Sequence, residues 1–153
     1  MSIEDFVDGI TIVERNPEKA CFVGQRPESL VRAAEDRLDV IFPPTYRRFL
    51  LLLGAGNFGS AEFYGVVDNN FEESSIPDGI WCTLSERRQI KLPNELVVVA
   101  NTGYGDLYCL DTATKPEGPI IVYQSHLRPD EQQRETVAED FGKFFLDQIR
   151  SRV

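Results

Sequence analysis

Leu96 to Ala100, the run LVVVA, limits the fold more than any other feature of the sequence. Successive side chains of a strand point to opposite faces, so an unbroken apolar, β-branched run needs apolar cover on both faces. We therefore expect a central strand between two layers. Helical patterns dominate the first half of the chain and strand patterns the second half. The sequence predicts an α+β fold, a mainly antiparallel sheet packed against helices, because a parallel sheet would require strands that alternate with helices.

Three helices are predicted before the strands. The first spans Ile3 to Ile12. The second follows Pro27, and its apolar stripe consists of Leu30, Ala33, Ala34 and Leu38. The third follows Pro43 and Pro44, and its inner face consists of Tyr46, Phe49, Leu50 and Leu53. Gly54 can adopt the left-handed conformation that ends it. Because Leu51 and Leu52 make this helix apolar nearly all round, we expect it to lie deep in the domain.

Strands are predicted at residues 61–67, 96–100, 106–111 and 119–123, with an irregular or helical excursion over residues 75–90. The last helix begins at a capping box, with Thr136 at the cap and Glu139 three residues later. Its predicted inner face consists of Val137, Phe141, Phe144, Phe145 and Ile149. Aromatic residues at this spacing are typical of a helix that faces the core.

The segment Gly103-Tyr104-Gly105-Asp106 is the strongest candidate for a ligand-binding loop. A dinucleotide-binding loop needs a third glycine at a fixed offset and a helix after it, whereas the residues after Gly105 have a strand pattern. A P-loop needs Gly-Lys-Ser/Thr, which is missing from this segment. The pattern indicates a hairpin turn, in which Asn101 and Gly103 adopt positive φ.

The sequence predicts no catalytic residue, no cofactor and no metal site. Asp106 and Asp111 are five residues apart on one predicted strand, so their carboxylates point to opposite faces. His126 is the single histidine and follows a strand, where it is expected to cap a loop. Three separated cysteines, Cys21, Cys82 and Cys109, have neither disulfide nor zinc-site spacing and are expected to be reduced and buried or half-buried. An unusually acidic cysteine would reopen the enzyme hypothesis.

The net charge of −9 is concentrated in one part of the chain. Residues 61–111 carry nine acidic and three basic residues, and residues 49–86 contain no lysine or arginine. Direct binding of nucleic acid is not expected, because a phosphate backbone attracts a basic face. A basic protein partner fits this charge, although an ordinary solvated acidic surface is the alternative.

The length of 153 residues indicates a single domain over residues 1–153. The acidic amino terminus and the short apolar runs indicate no signal peptide, no membrane association and a cytoplasmic location.

The segment VVDNNFEESS contains the candidate partner-binding site. Asp68, Glu72 and Glu73 are expected to contact a basic partner. Phe71 is expected to act as an apolar anchor, and Asn69 and Asn70 to contribute hydrogen bonds. The alternative is that this loop is a solvated connection.

Five ordered motifs resemble the SUKH superfamily, which includes the Smi and Knr cell-wall regulators of yeast. The resemblance covers residues 28–150. In its first half the matching residues are Glu35, Leu38, Pro43 or Pro44, Tyr46, Phe49-Leu50, Gly54 to Gly59 and Tyr64-Gly65. In its second half they are Gly105-Asp106, Tyr108, Leu110-Asp111 and the segment VAEDFGKFFLDQI. Two positions depart from the family pattern: Asp39 stands where glycine is usual, and Asp140 where serine is usual.

This resemblance implies an α+β fold and no enzymatic activity. Most bacterial members of the superfamily are similar to immunity proteins, which bind and neutralise a cognate toxin in the cytoplasm, and the toxin is often a nuclease. Yeast members are regulatory scaffolds. We therefore expect a toxin-binding immunity protein, with a regulatory scaffold as the alternative. The family motifs are mostly core and turn positions, so they imply the fold more strongly than a binding surface.

Overall fold

The architecture is α+β, as predicted, but the strands form two antiparallel sheets. The computed structural model describes residues 2–153, which form five α-helices and seven strands. The helices are α1 (Ser2–Arg15), α2 (Glu28–Leu38), α3 (Pro44–Leu52), α4 (Gly79–Ile90) and α5 (Phe141–Arg150). The strands are β1 (Ala20–Phe22), β2 (Gly56–Phe58), β3 (Ala61–Phe63), β4 (Leu96–Asn101), β5 (Leu107–Asp111), β6 (Ile120–Tyr123) and β7 (Glu135–Ala138). One sheet has the order β1-β2-β3 and the other the order β4-β5-β6-β7.

Strand β4 is buried on both faces, as its apolar run predicted. Val97 and Val99 belong to the main core, whereas Leu96 and Val98 belong to a second core on the other face. The prediction that β4 is central in its sheet was wrong, because β4 is the first strand in the order. Its outer edge is nevertheless occupied: the Tyr64 amide donates to the Val99 carbonyl at 2.7 Å, and the Val98 amide donates to Thr83 Oγ1 at 3.0 Å. Buried edge groups are therefore satisfied without another strand.

The main core is built around aromatic side chains from distant parts of the chain. The Phe145 ring on α5 lies 5.0 Å from that of Phe6 on α1 and 4.9 Å from that of Phe63 on β3, measured between ring centroids. Gly9 on α1 faces Phe145 so closely that a Cβ there would lie 2.6 Å from the ring. The aromatic stripe predicted for the last helix is thus the contact between α5, α1 and the three-stranded sheet.

Two glycines allow the chain to cross itself between α3 and α4. Gly54 has a φ of +74° and follows Leu53, the C-cap of α3, which confirms the predicted helix end. A Cβ on Gly65 would lie 1.9 Å from the Gly54 carbonyl oxygen. The Gly65 amide donates to the Pro77 carbonyl at 2.9 Å, and the Gly79 amide donates to the Gly65 carbonyl at 2.7 Å. This crossing positions the segment between β3 and α4, which contains the candidate site.

Several predicted boundaries and faces were wrong. The strand predicted over residues 61–67 ends at Phe63. Thr136 lies in β7 and caps no helix; Asp140 caps α5, because its Oδ1 accepts a hydrogen bond from the Lys143 amide at 2.8 Å. Val137 is 40% exposed and lies outside the helix. Strands β1, β2 and β7 were not predicted.

The burial of α2 and α3 also differs in part from the prediction. Val31, Ala34 and Leu38 form the buried face of α2, with Leu30 half-buried. Leu52 on α3 is 38% exposed, so this helix is covered on fewer sides than its composition indicated.

The hairpin prediction for residues 103–106 is confirmed, because these residues connect β4 to β5. Positive φ occurs at Gly103 and Gly105, not at Asn101 as predicted. No helix within residues 2–153 has the length and apolar character needed to cross a membrane.

Candidate partner-binding site

The segment Asp68–Glu73, here called the acidic loop, is exposed but held in a defined shape by its own side chains. Asp68 Oδ1 accepts a hydrogen bond from the Asn70 amide at 2.9 Å. Asn70 Oδ1 accepts one from the Glu73 amide at 3.1 Å. Such side-chain bonds to nearby amides are typical of turns. Five of the six loop residues, all except Phe71, are exposed. The loop therefore presents its polar side chains to solvent in a preorganised arrangement.

Phe71 is not a surface anchor. Its side chain is only 8% exposed and belongs to the main core. Phe71 was predicted to act as an apolar anchor for a partner, but its ring is already covered by the domain itself. Its burial instead attaches the middle of the acidic loop to the core, which reduces the ordering cost of binding through the neighbouring residues.

The three acids of the loop differ in their pairing. Glu72 accepts a hydrogen bond from Arg37 Nε on α2 at 2.7 Å and lies 3.9 Å from Arg88 on α4. Asp68 and Glu73 have no basic partner within 4.0 Å in the part of the chain that the structure describes. An exposed ion pair contributes about 0–1 kcal/mol, so Glu72 can exchange its partners at low cost. The unpaired charge of the loop is carried by Asp68 and Glu73.

A cleft of about 450 Å³ adjoins the start of the acidic loop. It is lined by Arg26, Pro27, Ser29, Leu30, Ala33, Val67, Asp68 and Asn69. The Arg26 guanidinium donates to the Val67 carbonyl at 2.8 Å and to the Val23 carbonyl at 2.9 Å, so it supports the wall of the cleft. Asp68 and Asn69 consequently stand at the rim of a concave surface that can receive a side chain of a partner.

Asp78, a residue to which the sequence assigned no role, fixes the other end of the segment. It is fully buried, and its Oδ1 accepts hydrogen bonds from the Ile80 and Trp81 amides, both at 3.0 Å, at the start of α4. Its Oδ2 is buried without a hydrogen-bond partner. Burial raises the pKa of this carboxyl group, and its interactions with the Trp81 amide, the Ser74 side chain and the Ile80 amide oppose that effect.

The Asp78→Asn variant is expected to gain stability relative to the wild type as the pH rises above about 4. The folded state holds the Asp78 proton more tightly than the unfolded state, whose pKa is near 3.8. The stability contributed by protonated Asp78 is therefore complete below that pH and is lost as the pH rises through the folded-state pKa. A tenfold difference in proton affinity corresponds to about 1.4 kcal/mol.

Urea denaturation of both proteins from pH 4 to pH 8 measures this difference. Asparagine keeps an acceptor for the α4 amides, so the variant retains the helix cap and lacks only the titratable carboxyl group. A wild type that gains stability over the variant with rising pH would show that the amide hydrogen bonds outweigh burial.

The sequence did not predict a second acidic surface, which the tertiary structure forms at the end of α2. A groove of about 730 Å³ is lined by Glu35, Asp36, Asp39, Val40, Ile41, Asn94, Glu95, Thr112 and Lys115. Ile41 is 70% exposed within it. Asp36 and Asp39 lie at the end of α2, where the helix dipole disfavours anions, and Asp39 has a left-handed φ of 58°. The unfavourable position of these two acids at a helix end is visible in the sequence and could have indicated the surface. Glu95 lies beside them only because of the tertiary fold.

The polar groups considered for catalysis have structural or isolated positions. Asp106 Oδ1 accepts a hydrogen bond from the Ser125 amide at 3.3 Å, and Asp111 Oδ1 accepts one from the Ala113 amide at 2.9 Å. His126 is exposed and lies 3.8 Å from Asp106. Within residues 2–153, no three histidine, cysteine or acidic side chains converge to hold a metal ion.

The cysteines match the predicted burial only in part. Cys109 is buried, Cys82 is half-buried and Cys21 is exposed on β1, so the prediction was wrong for Cys21. Burial raises the pKa of Cys82 to about 12 and also raises the pKa of Cys109. Neither of these two thiols has the lowered pKa of an activated nucleophile.

The two small antiparallel sheets and the aromatic helix contact define an α+β protein, and its candidate sites are exposed acidic surfaces. The model of the SMI1-KNR4 cell-wall family matches residues 28–145, so the chain belongs to this family of the SUKH superfamily. None of the curated proteins compared with the chain matches it.

Two family motif positions have structural roles. Glu35 Oε2 accepts a hydrogen bond from the Phe42 amide at 2.7 Å, and Oε1 pairs with Arg47 at 2.5 Å, so this acid joins α2 to α3. The Tyr46 hydroxyl donates to the Tyr64 carbonyl at 2.9 Å within the core. The two departures from the family pattern are tolerated for local reasons. Asp39 adopts the left-handed conformation usually given to glycine, and Asp140 provides the helix cap that serine can also provide.

Proposed function

We propose that this chain is a non-catalytic immunity protein, which binds and neutralises a cognate toxin in the bacterial cytoplasm. The observation that carries the proposal is the acidic loop, whose unpaired carboxylates are exposed while Phe71 attaches the loop to the core. Membership of the SMI1-KNR4 family supports a binding role, since SUKH domains are generally immunity or regulatory domains. The toxin is proposed to be a nuclease, because the active site of a nuclease is basic.

Electrostatic complementarity explains how such a protein would neutralise its target. A nuclease binds a polyanion, so its active site presents lysine and arginine side chains. Asp68 and Glu73 would pair with these side chains, and Asn69 and Asn70 would donate or accept hydrogen bonds beside them. Glu72 would exchange Arg37 and Arg88 for a basic residue of the toxin. The bound domain would then occlude the substrate path, and no bond-making group of its own is needed.

A regulatory scaffold is the second candidate function. The specific observation that favours it is the presence of two separate acidic surfaces, the loop and the groove at the end of α2, because a scaffold engages more than one partner. A simple test distinguishes an immunity protein from a regulatory scaffold. An immunity gene is expected to lie beside a toxin gene and to relieve the toxicity of its product, whereas a scaffold gene is not.

The triple variant Asp68→Asn, Glu72→Gln, Glu73→Gln is expected to bind the toxic domain encoded by the adjacent gene about 10- to 100-fold more weakly than the wild type. The salt dependence of binding should also decrease, because fewer charges are paired across the interface. Calorimetric titration at several salt concentrations measures both quantities. The effect on growth is measured by co-expression with the toxin.

The groove supplies a matched control, the triple variant Asp36→Asn, Asp39→Asn, Glu95→Gln, which changes the net charge by the same amount. This control is expected to bind within about threefold of the wild type, since overall charge affects binding less than contact charge does. Unchanged affinity and salt dependence in the loop variant would contradict the assignment of the loop. Equal weakening by both variants would show that only the overall charge matters.

A further inference from the structure

The turn between β4 and β5 exposes an aromatic side chain almost completely. Tyr104 is 93% exposed, the largest value among the exposed large hydrophobic residues of the described chain. It lies between Gly103 and Gly105, whose φ values are +93° and +94°. A Cβ on either glycine would meet nothing within 4 Å, so these glycines serve the left-handed backbone of the turn and no packing contact. The turn therefore projects the tyrosine away from the domain.

Hydrogen bonds hold this turn in one conformation. The Gly103 amide donates to Asn101 Oδ1 at 2.8 Å, and the Tyr104 amide donates to Thr102 Oγ1 at 3.2 Å. The Thr102 amide donates to the Asp106 carbonyl at 2.9 Å. From the loop after β6, Ser125 Oγ donates to the Gly105 carbonyl at 2.9 Å. Because the backbone is already ordered, docking of the tyrosine would cost little more than the rotamer freedom of one ring.

The hairpin lies beside a cleft that extends to Ile76, in the segment between the acidic loop and α4. This cleft of about 330 Å³ lies between Asn101, Thr102 and Gly103 on the hairpin, Glu62 on β3, and Ile76. Ile76 is 49% exposed, and it follows the acidic loop by three residues. Tyr104 directly follows Gly103 of the cleft lining, so an exposed aromatic residue and an exposed aliphatic residue, Ile76, lie at the rim of a cleft whose lining is otherwise largely polar. A single exposed side chain is unremarkable, but such a combination indicates an interaction surface.

The charges around the rim indicate the chemistry of its partner. Glu62 is exposed at the cleft, and Asp106 follows the hairpin with a side chain that is 27% exposed. Arg152, the basic residue of the cleft lining, is already engaged, because its guanidinium donates to Ser60 Oγ at 3.2 Å and to Gln148 Oε1 at 2.9 Å. An exposed aromatic face on a surface that carries acidic residues is a favourable site for arginine or lysine.

We infer that the Tyr104 hairpin and the adjoining cleft form an anchor for a basic protein partner, whose arginine or lysine side chain packs on the Tyr104 ring. The inference rests on the proposed function in one respect: the partner is the same toxin that the acidic loop contacts. Acids of the loop would supply charge complementarity. Tyr104 and Ile76 would add apolar contacts, which ion pairs alone do not provide. Tyrosine is among the residues that contribute most to binding at protein interfaces.

Calorimetric titration of the toxic domain encoded by the adjacent gene tests this anchor. The Tyr104→Ala variant is expected to bind about 10- to 100-fold more weakly, and Tyr104→Phe within about threefold of the wild type, since phenylalanine keeps the aromatic face. Val7→Ala is the matched control: Val7 is 50% exposed on α1 and its truncation is expected to leave the affinity unchanged. Tyr104 has almost no contacts to lose, so all variants should fold as the wild type does. Unchanged affinity of Tyr104→Ala would overturn the inference.

A photo-crosslinking residue at position 104, introduced in the source cell, separates this inference from the proposed function. If the toxic domain fails to bind the wild type, the proposed function fails, and crosslinking then tests the hairpin independently. The inference is supported if a basic protein is crosslinked, identified by mass spectrometry, and bound at least about tenfold more weakly by purified Tyr104→Ala. It is overturned if no protein is crosslinked at position 104, or if the product is a second copy of this chain.

Discussion

Replacement of Phe145 by alanine is expected to lower the free energy of unfolding by about 3–5 kcal/mol. The Phe145 ring lies within 6.2 Å of the rings of Phe6, Phe49, Phe63 and Phe141, measured between centroids. Its removal leaves a cavity where α5, α1, α3 and β3 meet. These elements cannot close the cavity independently, because each is also held by its other neighbours. Domains of this size are stable by about 5–15 kcal/mol, so the variant should lose a large part of its stability.

Urea denaturation monitored by circular dichroism measures this loss. Phe145→Leu serves as the conservative control and is expected to cost less than the alanine variant, because leucine fills most of the volume. Leu52→Ala is a second control, since Leu52 is 38% exposed and its truncation should cost about 1 kcal/mol or less. If Phe145→Ala destabilised the protein no more than Leu52→Ala, the aromatic cluster would not be the centre of the core.

The Gly65→Ala variant is expected to be destabilised by about 3 kcal/mol or more, although it adds only one methyl group. A Cβ at this position would lie 1.9 Å from the Gly54 carbonyl oxygen and 2.8 Å from Leu50 Cδ2. The backbone cannot move away freely, because the Gly65 amide and carbonyl are bonded to Pro77 and Gly79. In the variant, the segment between β3 and α4, which contains the acidic loop, should therefore detach from the core, or the whole protein should unfold.

Gly103→Ala is the control for Gly65→Ala. Gly103 has a φ of +93° but open space around its Cα, so alanine there adds backbone strain of about 1–2 kcal/mol without a clash. Thermal and urea denaturation of both variants distinguish the two effects. Equal destabilisation would mean that the close approach of Gly65 to Gly54 can relax and does not constrain the fold.

The helices that could be predicted are those with strong apolar periodicity. Phe141, Phe144, Phe145 and Ile149 are buried on α5 as predicted, because residues three and four apart on a helix share a face. The start of α5 was wrong, since both Thr136 and Asp140 have side chains that can cap a helix. Pairing of Glu135–Ala138 with β6 decided between them by placing Thr136 in a strand. That pairing joins segments whose relation is not visible in local sequence.

The short strands could not be predicted for a related reason. Strands β1 and β2 have three residues each and pair across more than thirty residues of intervening chain. Three residues are too few for an alternating pattern to be recognised. Their pairing depends on the backbone path that Gly54 and Gly56 permit, with φ values of +74° and +150°.

The acidity of the candidate segment was predictable from the sequence, but the pairing and burial of its side chains were not. The excess of acids in residues 61–111 is a property of composition and survives in the exposed loop. Whether each acid is paired is not such a property: Glu72 meets Arg37 and Arg88 from two different helices, whereas Glu73, its neighbour, does not. Phe71 is of a residue type that often anchors interfaces, but its side chain is packed in the core.

By itself, the sequence determined the α+β class, the family, the buried run of β4 and the acidic character of the segment before α4. The family follows from the order of its short motifs, and the other features follow from periodicity and composition, which are local properties of a chain. Only the tertiary structure decided that Phe71 is buried, that Glu72 is paired, that Asp36, Asp39 and Glu95 share a groove, and that Tyr104 stands free beside a cleft. Burial and ion pairing depend on which distant segments come together, and that is set by the packing of the whole domain.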